Sequence, residues 1–149
     1  MIIDFRYGGE PWLSIDDGVM GGRSSSEMVV DDGRALFSGE VSLENNGGFA
    51  SVRSRPASYD LSGFDGLRLR VRGDGRTYKL RLRTSAGFDG VSYQVPITPA
   101  AGEWREIEVS FASFEPVFRG RAVPDAPPLD PSRVVTFGLL ISDRQEGPF

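Results

Sequence analysis

Apolar and polar residues alternate with a period of two over much of this chain, the period of β-strands that are buried on one side only. In Leu67 to Arg72, Leu67, Leu69 and Val71 alternate with Arg68, Arg70 and Arg72. In Thr77 to Thr84, Tyr78, Leu80 and Leu82 alternate with Lys79, Arg81 and Arg83. Val91, Tyr93, Val95 and Ile97 form another set, ended by Pro96 and Pro99, which suit a sheet edge or a strand terminus. Trp104 to Phe111 sets Ile107, Val109 and Phe111 opposite in parity to Glu106 and Glu108. Val134 to Asp143 is nearly all apolar, as expected of a strand covered on both faces.

Turn chemistry supplies the punctuation. Ile2 to Arg6 predicts a short first strand, and Trp12 to Gly22 an irregular loop with paired aspartates and several glycines. Ser24–Val30 and Ala35–Leu43 are joined by Asp31-Asp32-Gly33, whose Asp-Gly pair is a hairpin signal. Asn45-Asn46-Gly47-Gly48 predicts a turn, and a strand leaves it with Phe49, Ser51 and Arg53 on one face and Ala50 and Val52 on the other. Tyr59-Asp60-Leu61-Ser62 predicts one helical turn. Phe114 to Arg133 reads as a long, proline-rich loop carrying Arg119-Gly120-Arg121, of a length that is often functional or mobile. The tail Arg144 to Phe149 stops abruptly. Short strands, regular turns and almost no helix predict an all-β chain, an antiparallel jelly-roll β-sandwich forming one domain over residues 1–149.

Composition sharpens this mostly by exclusion. The chain has no Cys and no His, which removes disulfides, thiol nucleophiles, most zinc chemistry and the Ser-His-Asp arrangement. No apolar run approaches the length of a membrane-spanning helix, so no membrane insertion is expected, and no nucleic-acid partner either. Without a basic stretch followed by an apolar one at the N-terminus, a cytoplasmic protein is the default expectation. Sixteen of the seventeen basic residues are Arg, through codon usage or for bidentate recognition of carboxylate or phosphate. If Arg72 pairs with Thr77, Arg70 faces Lys79 and Arg68 faces Arg81, and such a face needs anions. Glu106, Glu108 and Glu40 are the candidates for an internal salt-bridge lattice, with an anionic ligand as the other account.

Each chemically capable group has a structural alternative. Asp16 and Asp17 could hold calcium together with Asp143, or cap turns through their own backbone. Asn45 and Asn46 could bond a sugar hydroxyl, or satisfy loop backbone while tolerating left-handed φ. Arg53, Arg119 and Arg121 could grip an anion, or fasten loops to the sheet. Trp12, Trp104, Phe49, Phe114 and Phe118 could stack on a ring, or pack. Glu106 and Glu108 on one strand do not make the facing pair of carboxyl groups that a glycosidase needs.

Several motifs follow one another in order: Trp12; Asp17-Gly18-Val19-Met20-Gly21-Gly22 with Ser24; Phe37-Ser38-Gly39; Glu44 to Arg53; and Arg72-Gly73-Asp74-Gly75-Arg76 with Tyr78. Trp104, Phe114, Phe118-Arg119-Gly120-Arg121, and Gly138 with Asp143, Gln145 and Gly147 complete the series, which covers nearly the whole chain. The series resembles the thirty-kilodalton complex I intermediate-associated protein family. The resemblance implies a galactose-binding-like β-sandwich akin to carbohydrate-binding modules, in a family whose mitochondrial members are complex I assembly chaperones with no established catalysis. Against that family the chain lacks a mitochondrial targeting extension, so a free-standing, bacterial-type member is expected. It ends where relatives continue into one more strand.

The leading functional expectation is a non-catalytic assembly module for a protein partner, such as an assembly intermediate of a membrane complex, as a monomer or weak dimer. A carbohydrate-binding module with a glycan at Asn45, Asn46 and Arg53 is the alternative, and a hydrolase using Asp16 or Asp17 comes third. The binding candidates are Asp17, Asn45, Asn46, Arg53, Arg119, Arg121, Asp143 and Gln145, with no catalytic residue, no metal and no cofactor assigned.

Overall fold

The alternation found in the sequence folds into short antiparallel strands in a computed structural model, which describes residues 3–6, 9–85 and 90–149. The side chains of Val19, Met20 and Asn46 lie outside that description. The strands are β1 (Leu13–Ser14), β2 (Ser25–Asp31), β3 (Arg34–Val41), β4 (Ala50–Arg53), β5 (Gly66–Val71) and β6 (Tyr78–Arg83). There follow β7 (Ser92–Ile97), β8 (Arg105–Ser110), β9 (Glu115–Phe118), β10 (Arg121–Ala122), β11 (Thr136–Ile141) and β12 (Gly147–Pro148). Helix among the described residues is confined to short 3-10 turns. The chain divides into two compact units, Met1–Arg55 with Gly138–Phe149, and Pro56–Phe137.

In the first unit β2 and β3 form the expected hairpin. Asp31 faces Arg34, and Asp32 (φ 52°) and Gly33 (φ 78°) make the two-residue loop. Two left-handed residues in a row give that loop the twist its strands already have, which is why an Asp-Gly pair serves here. Phe37 and Val41 lie on the inner face as expected, with Val41 fully buried, while Leu36 and its cross-strand partner Val29 stay exposed. β4 lies between β1 and β11, with Arg53 opposite both Leu13 and Gly138. The predicted parity of this strand holds: Ala50 and Val52 are buried, and Ser51 and Arg53 are half-buried.

In the second unit β6 pairs with β7 and β7 with β9, and β9 turns back into β10. Tyr78 opposite Ile97, Leu80 opposite Val95 and Leu82 opposite Tyr93 bury one face of the β6–β7 pair. A fully covered side chain such as Leu82 contributes about 2 kcal/mol. Pro96 sits in β7 beyond Ser92–Gln94, the residues that pair with β9, so its missing N–H costs that ladder nothing. β11 is covered along most of its length, as its apolar run predicts.

Five expectations need correcting. Residues 3–6 form no strand; Arg6 instead folds its backbone N–H and guanidinium onto Asp4. Tyr59–Ser62 is not helical, because the Asp60 carboxylate takes the Ser62 N–H at 3.0 Å and makes an Asx turn. β5 does not pair with β6 but with β8, which removes the anticipated like-charge clash and sets Arg68 opposite Glu108 and Arg70 opposite Glu106. Of that predicted lattice one bridge forms on the ribbon, Arg68 to Glu108 at 3.0 Å. The segment 114–133 is not structureless: Arg119 (φ 50°) and Gly120 (φ 77°) close the β9–β10 hairpin. The tail does not stop abruptly either. β12 pairs with β3, and the Phe149 ring meets Phe37 at 4.9 Å.

Candidate functional site

The loop before β2 and the turn before β4 meet on two consecutive aspartates. Asp17, fully buried, accepts the Ser24 N–H on Oδ1 at 2.9 Å. Its Oδ2 accepts the Ser24 hydroxyl at 2.6 Å, the Gly48 N–H at 2.7 Å and the Phe49 N–H at 3.3 Å. Asp16 receives the Ser26 hydroxyl at 2.5 Å, the Ser26 N–H at 3.0 Å and the Ser51 N–H at 3.0 Å. Asp16 thus reaches into β2 and β4, and Asp17, at the start of a 3-10 turn, reaches the residues just before them. Ser51 adds a short bond from its hydroxyl to the Ile15 carbonyl.

The glycines of the two motifs make room for this knot. A Cβ at Gly22 would stand 2.4 Å from Asp17 Cγ, and one at Gly47 2.5 Å from Asp17 Oδ2. Gly48 supplies a φ of 141°, a region closed to other residues, and Asn45 a left-handed φ of 54°. The Asp-Gly-Val-Met-Gly-Gly and Asn-Asn-Gly-Gly stretches are thus two halves of one fastening. A second knot ties the other glycine motif. Asp74 accepts the Tyr78 hydroxyl at 2.8 Å and the Arg76 N–H at 3.0 Å, and Gly73 lies where a Cβ would meet Pro99. Burial and then the Asp74 carboxylate push the Tyr78 phenol well above its ordinary range.

Burial by itself would raise the Asp17 pKa. The Ser24 hydroxyl and then the N–H groups of Gly48, Ser24 and Phe49 outweigh it, so the carboxyl is held below its ordinary value. The folded state therefore gains stability that is complete above about pH 4, the unfolded value, and is lost as pH falls through the lower folded value. Urea denaturation from about pH 5 downward is expected to show a stability loss in the wild type that flattens in Asp17→Asn. Parallel acid profiles in the two proteins would contradict the assignment.

A carboxylate ringed by N–H and O–H donors is a poor cation ligand, because those donors present positive charge to the metal. Asp143, the third member of the anticipated calcium set, is exposed at the β11–β12 turn, where Asp143 (φ 59°) and Arg144 (φ 57°) are both left-handed. Among the described residues no group of three acidic side chains is close enough to hold a metal ion. Asp16 and Asp17 do not cap their own turn either: their carboxylates bond Ser24, Ser26, Gly48, Phe49 and Ser51 across the chain.

The remaining candidates divide between the units. Asn45 is exposed and Arg53 half-buried in the first unit, the Asn46 side chain lies outside the described residues, and Gln145 donates its amide to the Ser142 carbonyl at 2.9 Å. Arg119 and Arg121 lie in the second unit on the exposed β9–β10 hairpin, with the Arg119 guanidinium 5.2 Å from the Phe118 ring centroid. Ser26 and Gly47 carry the Asp16 and Asp17 fastening but were not singled out as site residues from the sequence. A serine on β2 and a glycine in an Asn-Gly turn look the same whether or not an aspartate is aimed at them.

The fold is an antiparallel jelly-roll β-sandwich of the galactose-binding-like kind. A family 11 carbohydrate-binding module of a cellulosomal cellulase from Clostridium thermocellum matches it with a TM-score of 0.72, over 99% of this chain and 88% of that one, at 16% identity. The chain belongs to the Complex I intermediate-associated protein 30 family, whose family model matches residues 4–149. The mouse protein named "Complex I intermediate-associated protein 30, mitochondrial" is 29% identical over 161 residues, covering 94% of this chain and 49% of the relative. The Drosophila melanogaster protein of the same name is 26% identical over 163 residues, covering 94% of this chain and 55% of the relative. The chain therefore spans about half the length of these relatives. Their names also overturn the expectation of a bacterial-type, cytoplasmic protein, since both are mitochondrial and animal. A start without a recognisable leader carries no such information when the match covers half of a longer protein.

Proposed function

We propose that this chain is a non-catalytic module that assists assembly of respiratory complex I by holding a protein partner, and that residues 1–149 act as one domain. The family match over residues 4–149 carries this reading. The fate of the signature carboxylates supports its non-catalytic half: Asp16 and Asp17 accept bonds from their own chain, so neither is poised as the acid or base of the hydrolase considered for them. Exposed among the candidates are Asn45, Arg119 and Arg121 on their hairpin beside the partly exposed Phe118, and Asp143 at the β11–β12 turn. Arginine beside an exposed aromatic is the composition that protein interfaces favour at their centres.

Crosslinking pull-down from a mitochondrial extract tests it. Wild-type protein is expected to enrich a defined partner, and Arg119→Ala with Arg121→Ala to lose about tenfold or more of it, as removal of interface arginines does. Repeated pull-downs without an enriched partner reject the module. Saturable binding on a glycan array that Asn45→Ala abolishes would replace it with sugar recognition at the Asn45, Asn46 and Arg53 rim.

A further inference from the structure

The β5–β8 ribbon of the second unit carries an outward face whose charges are only partly matched. Arg68 is bonded to Glu108 at 3.0 Å on that face, while Arg105, of opposite parity, is bonded to Glu103 at 2.6 Å. Register sets Arg70 opposite Glu106, and the step beyond the last pair, Val71 with Arg105, brings Arg72 beside Trp104. Yet neither Arg70 nor Arg72 makes an ion pair among the described residues. Both guanidinium groups stand over the Trp104 ring instead, at 5.5 and 5.4 Å from its centroid, and the ring is 40% exposed.

An exposed cation–π contact is worth about as much as an exposed salt bridge, so the arrangement is not a costly one. A guanidinium that meets a ring keeps its in-plane N–H fork available to a carboxylate. Arg70 and Arg72 are two residues apart on one face of an extended chain, about 6.6 Å at the usual rise per residue. The same interval separates alternate side chains of any other extended segment. Among the described residues, β5 is hydrogen-bonded in its two-stranded sheet to β8 alone. Two forks carried by alternate residues of one strand, with an apolar ring beside them, suit an extended chain bearing carboxylates at every second position.

We infer that Arg70, Trp104 and Arg72 form a docking surface for an extended acidic segment of a partner polypeptide, one carboxylate to each guanidinium, with Trp104 under the segment's apolar atoms. The inference rests on the proposed protein-binding role and names the chemistry of the partner at this face.

A blocked peptide of alternating Glu and Val, titrated calorimetrically into the full chain at low salt, is the probe. Saturable binding is expected, with the peptide of alternating Gln and Val about tenfold weaker or worse, since charge-assisted bonds are lost. Arg70→Gln with Arg72→Gln should weaken the Glu peptide by a similar factor, and Arg34→Gln, in the first unit, should not. All three ribbon side chains are exposed, so an unchanged thermal midpoint will show that the variant is folded. No binding by the wild type, equal binding of the Gln peptide, or no effect of the double variant overturns the inference. Equally tight binding of an oligothymidylate of the same charge also overturns it, because the face would then be a general polyanion surface. The pull-down reads Arg119 and Arg121, not this ribbon: an enriched partner without peptide binding rejects the docking surface alone, and no partner at all rejects the module.

Discussion

Asp17→Asn is expected to destabilise the protein by about 3 kcal/mol, and to lower its thermal midpoint by about 10 °C, although it changes one atom. The carboxylate accepts one bond on Oδ1 and three on Oδ2, all from N–H or O–H donors. An amide must turn its NH2 toward one of those sets. Turned to the Oδ1 side it faces the Ser24 N–H; turned to the Oδ2 side it faces two backbone N–H groups and a hydroxyl that can rotate. Either way a fully buried donor meets a donor with no water to take its place. Asp125→Asn is the control, because Asp125 lies exposed in a turn, and a change within about 0.5 kcal/mol is expected. Differential scanning calorimetry of the two variants decides: equal midpoints would mean that Asp17 does not hold its loops together.

Gly39→Ala is expected to cost a similar amount, about 3 kcal/mol, through collision rather than lost bonding. Gly39 in β3 lies opposite Ser26, and a Cβ there would stand 2.0 Å from the Ser25 carbonyl oxygen and 2.8 Å from Ser26 Cα. Those are backbone atoms and cannot rotate aside. On its other edge Gly39 exchanges both bonds with Phe149, at 3.3 and 3.0 Å, so the strand is held from two sides and cannot simply withdraw. The expected result is a lower urea midpoint with an unchanged slope. Gly18→Ala supplies the comparison, since a Cβ at Gly18 meets nothing within 4 Å. A Gly39→Ala protein as stable as Gly18→Ala would mean that β2 and β3 pair in another register.

Together these expectations place the family's glycine and aspartate motifs in fold maintenance, which moves the search for binding surfaces to exposed arginines and aromatics. The sequence named the motifs but not that use. Asp17 was a candidate for calcium, turn capping or hydrolysis because a carboxylate's partners are set by groups seven and about thirty residues away, Ser24, Gly48 and Phe49. Trp104 and Arg70 were likewise visible only as separate alternations.

The existence and face parity of the longer alternating strands and the Asp32-Gly33 hairpin could be read from the chain alone, because a period of two and a two-residue loop are local properties. Fold class followed from their number and from the motif series. Which strands neighbour one another could not be read this way. β5 and β6 are consecutive, alternate cleanly and are joined by a glycine turn, yet β5 pairs with β8 across a separation of about forty residues. Alternation says which face a side chain takes but not whose backbone lies beside it. That choice, and with it the pairing of Arg68 with Glu108 and the stacking of Arg70 on Trp104, is made by non-local hydrogen bonding and burial.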